Sequence, residues 1–251
     1  MKPLYAVILA GDNAESKIRK DTVLLNKAFL PIGGKTMLEY VVDCYKQMDE
    51  LAGIAVVGPQ EKLKEVLSED VIIIPQQGSM VENIMAAAES LQGWFILSSC
   101  DIPLLTPEAV RGFVSQSGDA DLTYPLVPKE ENDKIFPEMK RTYVTLKEGV
   151  FTGGNIFLVH SDKVPVAAPP AGEFFKMRKS PLHLAKLVGF TTLLRLVTKR
   201  LALKDIEGRM SKILGVSCKA VISRYPEIGT DLDKESDYNV ISPRLTGNRG
   251  N

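Results

Sequence analysis

The chain has 251 residues, and its 31 Lys+Arg balance its 31 Asp+Glu to a formal net charge of zero. Hydrophobic residues make up 45% and charged residues 25%, which is ordinary for a soluble globular protein and too apolar for extended disorder. The balance argues against broad binding to a nucleic-acid backbone, and the length suffices for one large domain with a full core, or one domain with a sizeable insertion.

Residues 4–9, Leu-Tyr-Ala-Val-Ile-Leu, form a short apolar run that reads as a strand buried on both faces, not as a signal peptide or a spanning helix. A polar loop is expected from Gly11 to about Asn26. Thr36-Met37-Leu38-Glu39 is a capping box that opens a helix bearing Val41, Val42 and Tyr45 on one side. Residues 54–57 and 71–74 read as further buried strands, with Pro59 starting a short helix between them. Ser79 and Glu82 form a second capping box, and its helix runs to about Leu91. A strand at 94–99 ends at Cys100-Asp101-Ile102-Pro103, and Thr106-Pro107 caps the next helix. This alternation predicts an α/β fold with a mostly parallel sheet and helices on both faces.

The second half reads differently. Short strands are expected at 122–125, 142–146 and 155–159, with a charged loop at 129–134. Residues 164–172 are rich in Pro and Ala and read as a linker. Three short helices follow within 173–215, one of them beginning at Ser180-Pro181, and the last, 203–214, is stopped by Gly215. A strand returns at 219–223, and the tail from Gly247 is expected to fray. The α/β body therefore spans 1–160 and 216–245, with a helical insertion over 161–215 inside a single domain. No apolar run is long enough to cross a membrane. The three cysteines, Cys44, Cys100 and Cys218, form no C-x-x-C. A reducing, cytoplasmic location is the expectation.

In open parallel sheets ligands bind at the carboxyl ends of the strands. That brings three polar groupings to one rim: Gly11–Lys27, Gln76-Gln77-Gly78, and Asp101. A loop after a buried strand can turn N–H groups toward an anion, and Lys17, Arg19, Lys20 and Lys27 add positive charge, which suits nucleotide phosphates. G-x-G-x-x-G is absent, and Phe29 stands where a P-loop ending in Gly34-Lys35-Thr36 needs its first glycine. Gly33-Gly34 reads as a turn. A carboxylate such as Asp101 at a strand end can hold a hard cation, or cap its own turn. In an extended stretch Asp231 and Asp233 point the same way, with Asp233 alternatively an N-cap. His160 and His183, the only histidines, lie in no nucleophile elbow.

In this order the motifs resemble the MobA-like nucleotidyltransferases, which share a fold with the sugar-1-phosphate nucleotidyltransferases. The family opens with Leu-Ala-Gly-Gly-x-Gly-Thr/Ser-Arg-Met and a later Pro-Lys; here stand Leu9-Ala10-Gly11-Asp12-Asn13-Ala14-Glu15-Ser16-Lys17 and Asn26-Lys27. Ser99-Cys100-Asp101-Ile102-Pro103 is similar to its Asp-x-Pro metal motif. Asp231-Leu232-Asp233-Lys234-Glu235-Ser236-Asp237 is similar to its acidic ending. The resemblance covers about residues 1–125 and returns at 150–160 and 225–240. It implies a three-layer α/β/α nucleotide-diphospho-sugar transferase-like fold with a mixed, mostly parallel sheet. It also implies transfer of an NMP from an NTP to a small phosphorylated acceptor, with release of pyrophosphate. Asp101 and Asp231 then hold Mg²⁺, Lys17 and Lys27 neutralise the triphosphate and leaving group, and Leu9, Ala10, Gly11, Lys17, Lys27, Gln76, Gly78 and Asn83 contact the nucleotide.

Three departures bear on activity. Asp12 and Ala14 replace loop glycines, and Lys17 replaces an arginine, losing its bidentate fork. A catalytically silent nucleotide-binding protein is therefore the rival reading. On the acceptor side, Gly153-Gly154-Asn155 either lie against the acceptor or make a hairpin turn. The insertion carries Arg178 and Lys179, which suit an acceptor phosphate. A buried helical lid and a membrane-surface face for a lipid-linked acceptor are the other readings. A sugar or polyol phosphate is the alternative to molybdopterin as acceptor.

Overall fold

The computed structural model describes residues 3–11, 16–19, 22–24, 26–177 and 189–247. The chain opens with β1 (Leu4–Leu9), a small hairpin of β2 (Ser16–Arg19) and β3 (Thr22–Leu24), and a second hairpin of β4 (Pro31–Ile32) and β5 (Lys35–Thr36). The expected single loop after Gly11 thus carries paired strands. Gly33 and Gly34 join β4 to β5 with φ of +56° and +90°, conformations that a two-residue hairpin turn requires and that glycine adopts freely. There follow α1 (Met37–Lys46), β6 (Gly53–Gly58), α2 (Gln60–Val66), β7 (Ile72–Pro75), α3 (Met80–Ser90), β8 (Trp94–Ser99) and α4 (Pro107–Ser117). Both halves of the predicted box at α1 form: Glu39 N–H donates to Thr36 Oγ1, and Thr36 N–H to Glu39 Oε2.

Then come β9 (Leu122–Pro128), α5 (Lys129–Ile135), β10 (Val144–Leu146), β11 (Gly149–Gly153), β12 (Ile156–His160), α6 (Val164–Met177), α7 (Phe190–Val197), α8 (Leu203–Leu214), β13 (Cys218–Ile222) and α9 (Glu235–Leu245). Two readings are corrected here. The charged stretch 129–134 is helical, because Lys129–Asp133 and Glu131–Lys134 fall at spacings that pair along a helix. The Pro/Ala stretch from Val164 is a helix, not a linker, even though Pro169 and Pro170 lie inside it. Val164 and Ala168 are buried against Ala87 and Phe95 on one side, and Ala167 against Leu214 and Val216 on another. That burial outweighs the lost helix hydrogen bonds.

The main sheet runs β10-β11-β9-β12-β8-β1-β6-β7, with β13 beside β9. β8, β1, β6 and β7 are mutually parallel, as are β9 and β13, while β12 and β11 run antiparallel to their neighbours. One face packs Ile8, Val56 and Ile96 on Leu38, Tyr45 and Phe113 of α1 and α4. The other packs Val7, Val57 and Phe95 on α3 and α6. The result is the expected three-layer sandwich. All three cysteines are free and buried. No helix of the described residues is long and apolar enough to cross a membrane.

Candidate active site

The carboxyl ends of β1, β6, β7 and β8 lie together, since Leu9 registers with Val57 and Ser99, and Gly58 with Pro75. Gly11, Gln76 and Asp101 therefore share one rim. Chain connectivity alone brings Gly153–Asn155 there too: β12 is antiparallel to β8, and Ser99 N–H donates to the Asn155 carbonyl at 3.1 Å.

Asp101 is buried, with 8% of its surface exposed. Its carboxylate accepts from the Ser99 hydroxyl and from the Lys27 ammonium, and its backbone carbonyl accepts from Leu232 N–H at 2.8 Å. That last bond ties the acidic segment Asp231–Asp233 to the end of β8. The Lys27 ammonium also pairs with Asp233. Carboxylate oxygens of Asp101, Asp231 and Asp233 lie within 4.8 Å of one another. An all-oxygen set at this spacing suits a hard divalent cation. The ammonium of Lys27 already lies against two members of the set, so the geometry accommodates positive charge there.

Charge at the site is uneven. Burial alone disfavours the Lys27 ammonium, but the Asp101 and Asp233 carboxylates outweigh it and raise its pKa. Burial pushes the Asp231 carboxyl up to about 7, helped by its bond to Asp233 and the negative charge of Asp101 and Asp233, while Arg141 pulls the other way. Burial works against ionisation of Asp233 as well, yet the bond from Asp231 and the Lys27 charge hold it below the usual carboxylate value. Of this coupled pair, Asp231 is the carboxyl that takes up a proton more readily.

Two residues not singled out from the sequence position this group. Asn26 is buried; it donates to the Ala10 carbonyl at 2.8 Å and accepts from Ala28 N–H at 2.8 Å. It caps the one-turn helix that carries Lys27 and fastens it to the end of β1. Arg141, in the loop after α5, pairs with the Asp231 carboxylate and donates to its carbonyl at 2.8 Å. Its Nε is buried without a hydrogen-bond partner. A capping signature at Asn26 was available in the sequence; nothing marked Arg141. Asp233 joins Asp231 rather than acting as N-cap. Lys234 holds that position, and the Asp237 carboxylate accepts from the N–H groups of Asp233 and Lys234, both at 3.1 Å.

On the nucleotide side, Gly11, Gln76 and Asn83 converge. A Cβ on Gly11 would lie 2.7 Å from Asn83 Nδ2 and 3.5 Å from Gln76 Oε1. Asn83 Oδ1 accepts from Gln77 N–H at 2.5 Å, which shapes the turn through Gly78. Leu9 and Ala10 supply backbone at the strand end, and Ala10 N–H donates to Val57 at 2.8 Å. On the acceptor side the two glycines differ. Gly154 is packed, with a Cβ there falling 2.6 Å from Ile228 and Pro125 side chains, whereas Gly153 faces open space. Lys17 falls on β2, but its side chain, like Asp12, Ala14, Arg178, Lys179 and the helix start at Ser180, lies outside the described residues. His160 pairs with Trp94 at the opposite end of β8, remote from Asp101.

A mixed sheet in this order, with acidic groups and a lysine gathered at its carboxyl ends, defines the nucleotidyltransferase class with the nucleotide-diphospho-sugar transferase fold. Within that class, the chain belongs to the MobA-like NTP transferase domain family, whose model matches residues 6–200. A structure described as a hypothetical transferase from Thermus thermophilus is similar at 38% identity and a TM-score of 0.84, covering 94% of this chain and 99% of that one. A 4-diphosphocytidyl-2C-methyl-D-erythritol synthase from Anaerococcus prevotii shares the fold at 10% identity and a TM-score of 0.59, covering 97% and 96%. The bifunctional protein GlmU of a Synechococcus species is 30% identical over 128 residues, 47% of this chain and 27% of that protein. The chain thus spans little more than a quarter of that curated relative.

Proposed function

We propose that the protein transfers an NMP from an NTP to a small phosphorylated acceptor and releases pyrophosphate. The observation that carries this reading is the grouping of Asp101, Asp231, Asp233 and Lys27 on the rim that also holds Gly11. An acceptor phosphate oxygen forms the new bond to the α-phosphorus as the bond to the pyrophosphate oxygen breaks. The nucleophile is already anionic, so no general base is needed, and the remoteness of His160 fits that. Asp101, Asp231 and Asp233 are the residues that would hold Mg²⁺, which when bound supplies Lewis-acid charge to the phosphate oxygens. Lys27, and Lys17 from β2, bring cationic charge to the triphosphate and its leaving group. Gln76, Gly78 and Asn83 with Gly11 bound the base and ribose side. Gly153 leaves room for the acceptor, with Gly154 and Asn155 shaping the backbone, and Arg178 and Lys179 are assigned to its phosphate. Positioning and electrostatics carry the rate.

The name of one similar protein, a diphosphocytidyl-methylerythritol synthase, fits a polyol acceptor as the alternative to molybdopterin. Asp12 and Ala14 in the loop favour the rival, a silent nucleotide binder. The deciding experiment is pyrophosphate release with each of the four NTPs and Mg²⁺, against a pool of phosphorylated sugars, polyols and molybdopterin. One NTP with one acceptor should give a signal, and Asp101→Asn should lower it by about 10²-fold or more. Tight NTP binding with no release from any acceptor supports the silent reading instead.

A further inference from the structure

Away from the rim centre, α7 and α8 meet the β10–β11 turn at a basic corner. Lys147 N–H donates to the Leu201 carbonyl at 3.0 Å, and Glu148 accepts from Leu203 N–H at 3.0 Å, which anchors the junction. Leu196 and Leu201 turn inward onto Leu146 and Phe151. On the outer side of the same helix, Leu194 and Val197 stand 53% and 73% exposed, three residues apart and so on one face.

Beside Leu194 a cleft of about 820 Å³ is lined by Lys147, Arg195, Arg200 and Lys204, and Lys199 precedes Arg200 in the chain. Asp205 is the carboxylate in the described lining, and it pairs with Arg195 at 3.5 Å. Lys147, Lys199, Arg200 and Lys204 are exposed and have no ion pair among the described residues. The corner lies on the active-site rim. Phe151 registers with Pro128, so the turn before Gly149 projects past the end of β9. β11 continues the line of β12 along one edge of β9, since Thr152 registers with Val127 and Leu158 with Thr123, and so runs on past the end of β8.

We propose that this corner docks reversibly on an anionic lipid bilayer, with Leu194 and Val197 entering the headgroup boundary and Lys147, Lys199, Arg200 and Lys204 meeting lipid phosphates. An exposed apolar pair on a helix next to cations without ion pairs among the described residues is the chemistry of an interfacial anchor. A soluble polyanion gives no reason for Val197 to stand out in water, and the described residues of the cleft lining include no aromatic ring on which a nucleic-acid base would stack. Lysines at this density are depleted in protein–protein interface cores.

The test is co-sedimentation of the full chain with vesicles of phosphatidylcholine alone and with about one-third phosphatidylglycerol. Binding is expected only to the anionic vesicles and should fall as salt rises. Both Lys147→Glu/Arg200→Glu and Leu194→Ser/Val197→Ser should lower the bound fraction at least tenfold, with melting temperatures unchanged. Absence of binding at low salt overturns the proposal. So does binding that Leu194→Ser/Val197→Ser leaves intact, which would mark a soluble-polyanion site. A wild-type dimer that Val197→Ser converts to monomer also overturns it, by making this face a contact between copies of the chain.

Discussion

Replacing Lys27 by Met keeps the volume of the side chain and removes the charge that Asp101 and Asp233 share. The Lys27 side chain is 18% exposed and that of Asp101 11%, while Asp233 is half-exposed at 50%. Breaking a buried pair from one side costs about 3–5 kcal/mol, whereas an exposed pair contributes at most about 1 kcal/mol. The Asp101 arm dominates, and partial access to water trims it, so a loss of about 2–4 kcal/mol is expected in EDTA. For a chain of this size that lowers Tm by about 5–15 °C. A divalent cation should restore much of it: the three carboxylates lose a competitor for the metal, and saturation at a hundredfold over Kd contributes about 2.7 kcal/mol. Thermal melts of wild type and Lys27→Met, in EDTA and in excess MgCl₂, read both effects. The reasoning fails if Lys27→Met melts like wild type in EDTA, or if Mg²⁺ raises its Tm no more than that of wild type.

Other outcomes follow from the same geometry. Burial raises the Asp231 carboxyl to about 7 in the folded chain, above its ordinary carboxylate range when unfolded; without metal, stability should therefore fall as pH rises from that range to about 7 and level off above. Divalent-cation affinity should rise through the same window, with proton release visible by calorimetry in two buffers at about pH 6; a pH-independent affinity would remove Asp231 from the cation site. Arg141→Lys keeps the charge but not the two-point grip on Asp231, and should weaken Mn²⁺ binding by about tenfold, measured by electron paramagnetic resonance titration. Gly154→Ala should destabilise by about 1–3 kcal/mol in urea melts, because its Cβ meets Ile228 and Pro125. Gly153→Ala should fold like wild type and raise KM for the acceptor only, and equal effects at the two positions would contradict their different surroundings.

Much of this protein was legible from residues near one another in sequence. The apolar runs at 4–9, 54–57 and 94–99 are the sheet centre, and the capping pair Thr36/Glu39 starts its helix. Gly33-Gly34 makes a turn, and the alternation of strand and helix implies a common rim. Each signal is short-range: backbone geometry, capping bonds and side-chain period act within a few residues. The same reasoning misread 129–134 and 164–172, where a composition of charge or proline suggested loop. Pairing along α5 and burial of Val164, Ala167 and Ala168 decided both. What the tertiary structure alone decided is which charges meet. Lys27 reaches Asp233 across 206 positions, and Arg141 reaches Asp231 across 90. No local period encodes such pairs. They arise because sheet order brings β1, β8 and the segment after β13 to one end, and because burial there makes unpaired carboxylates costly, so that each partner's position follows from the packing of the whole chain.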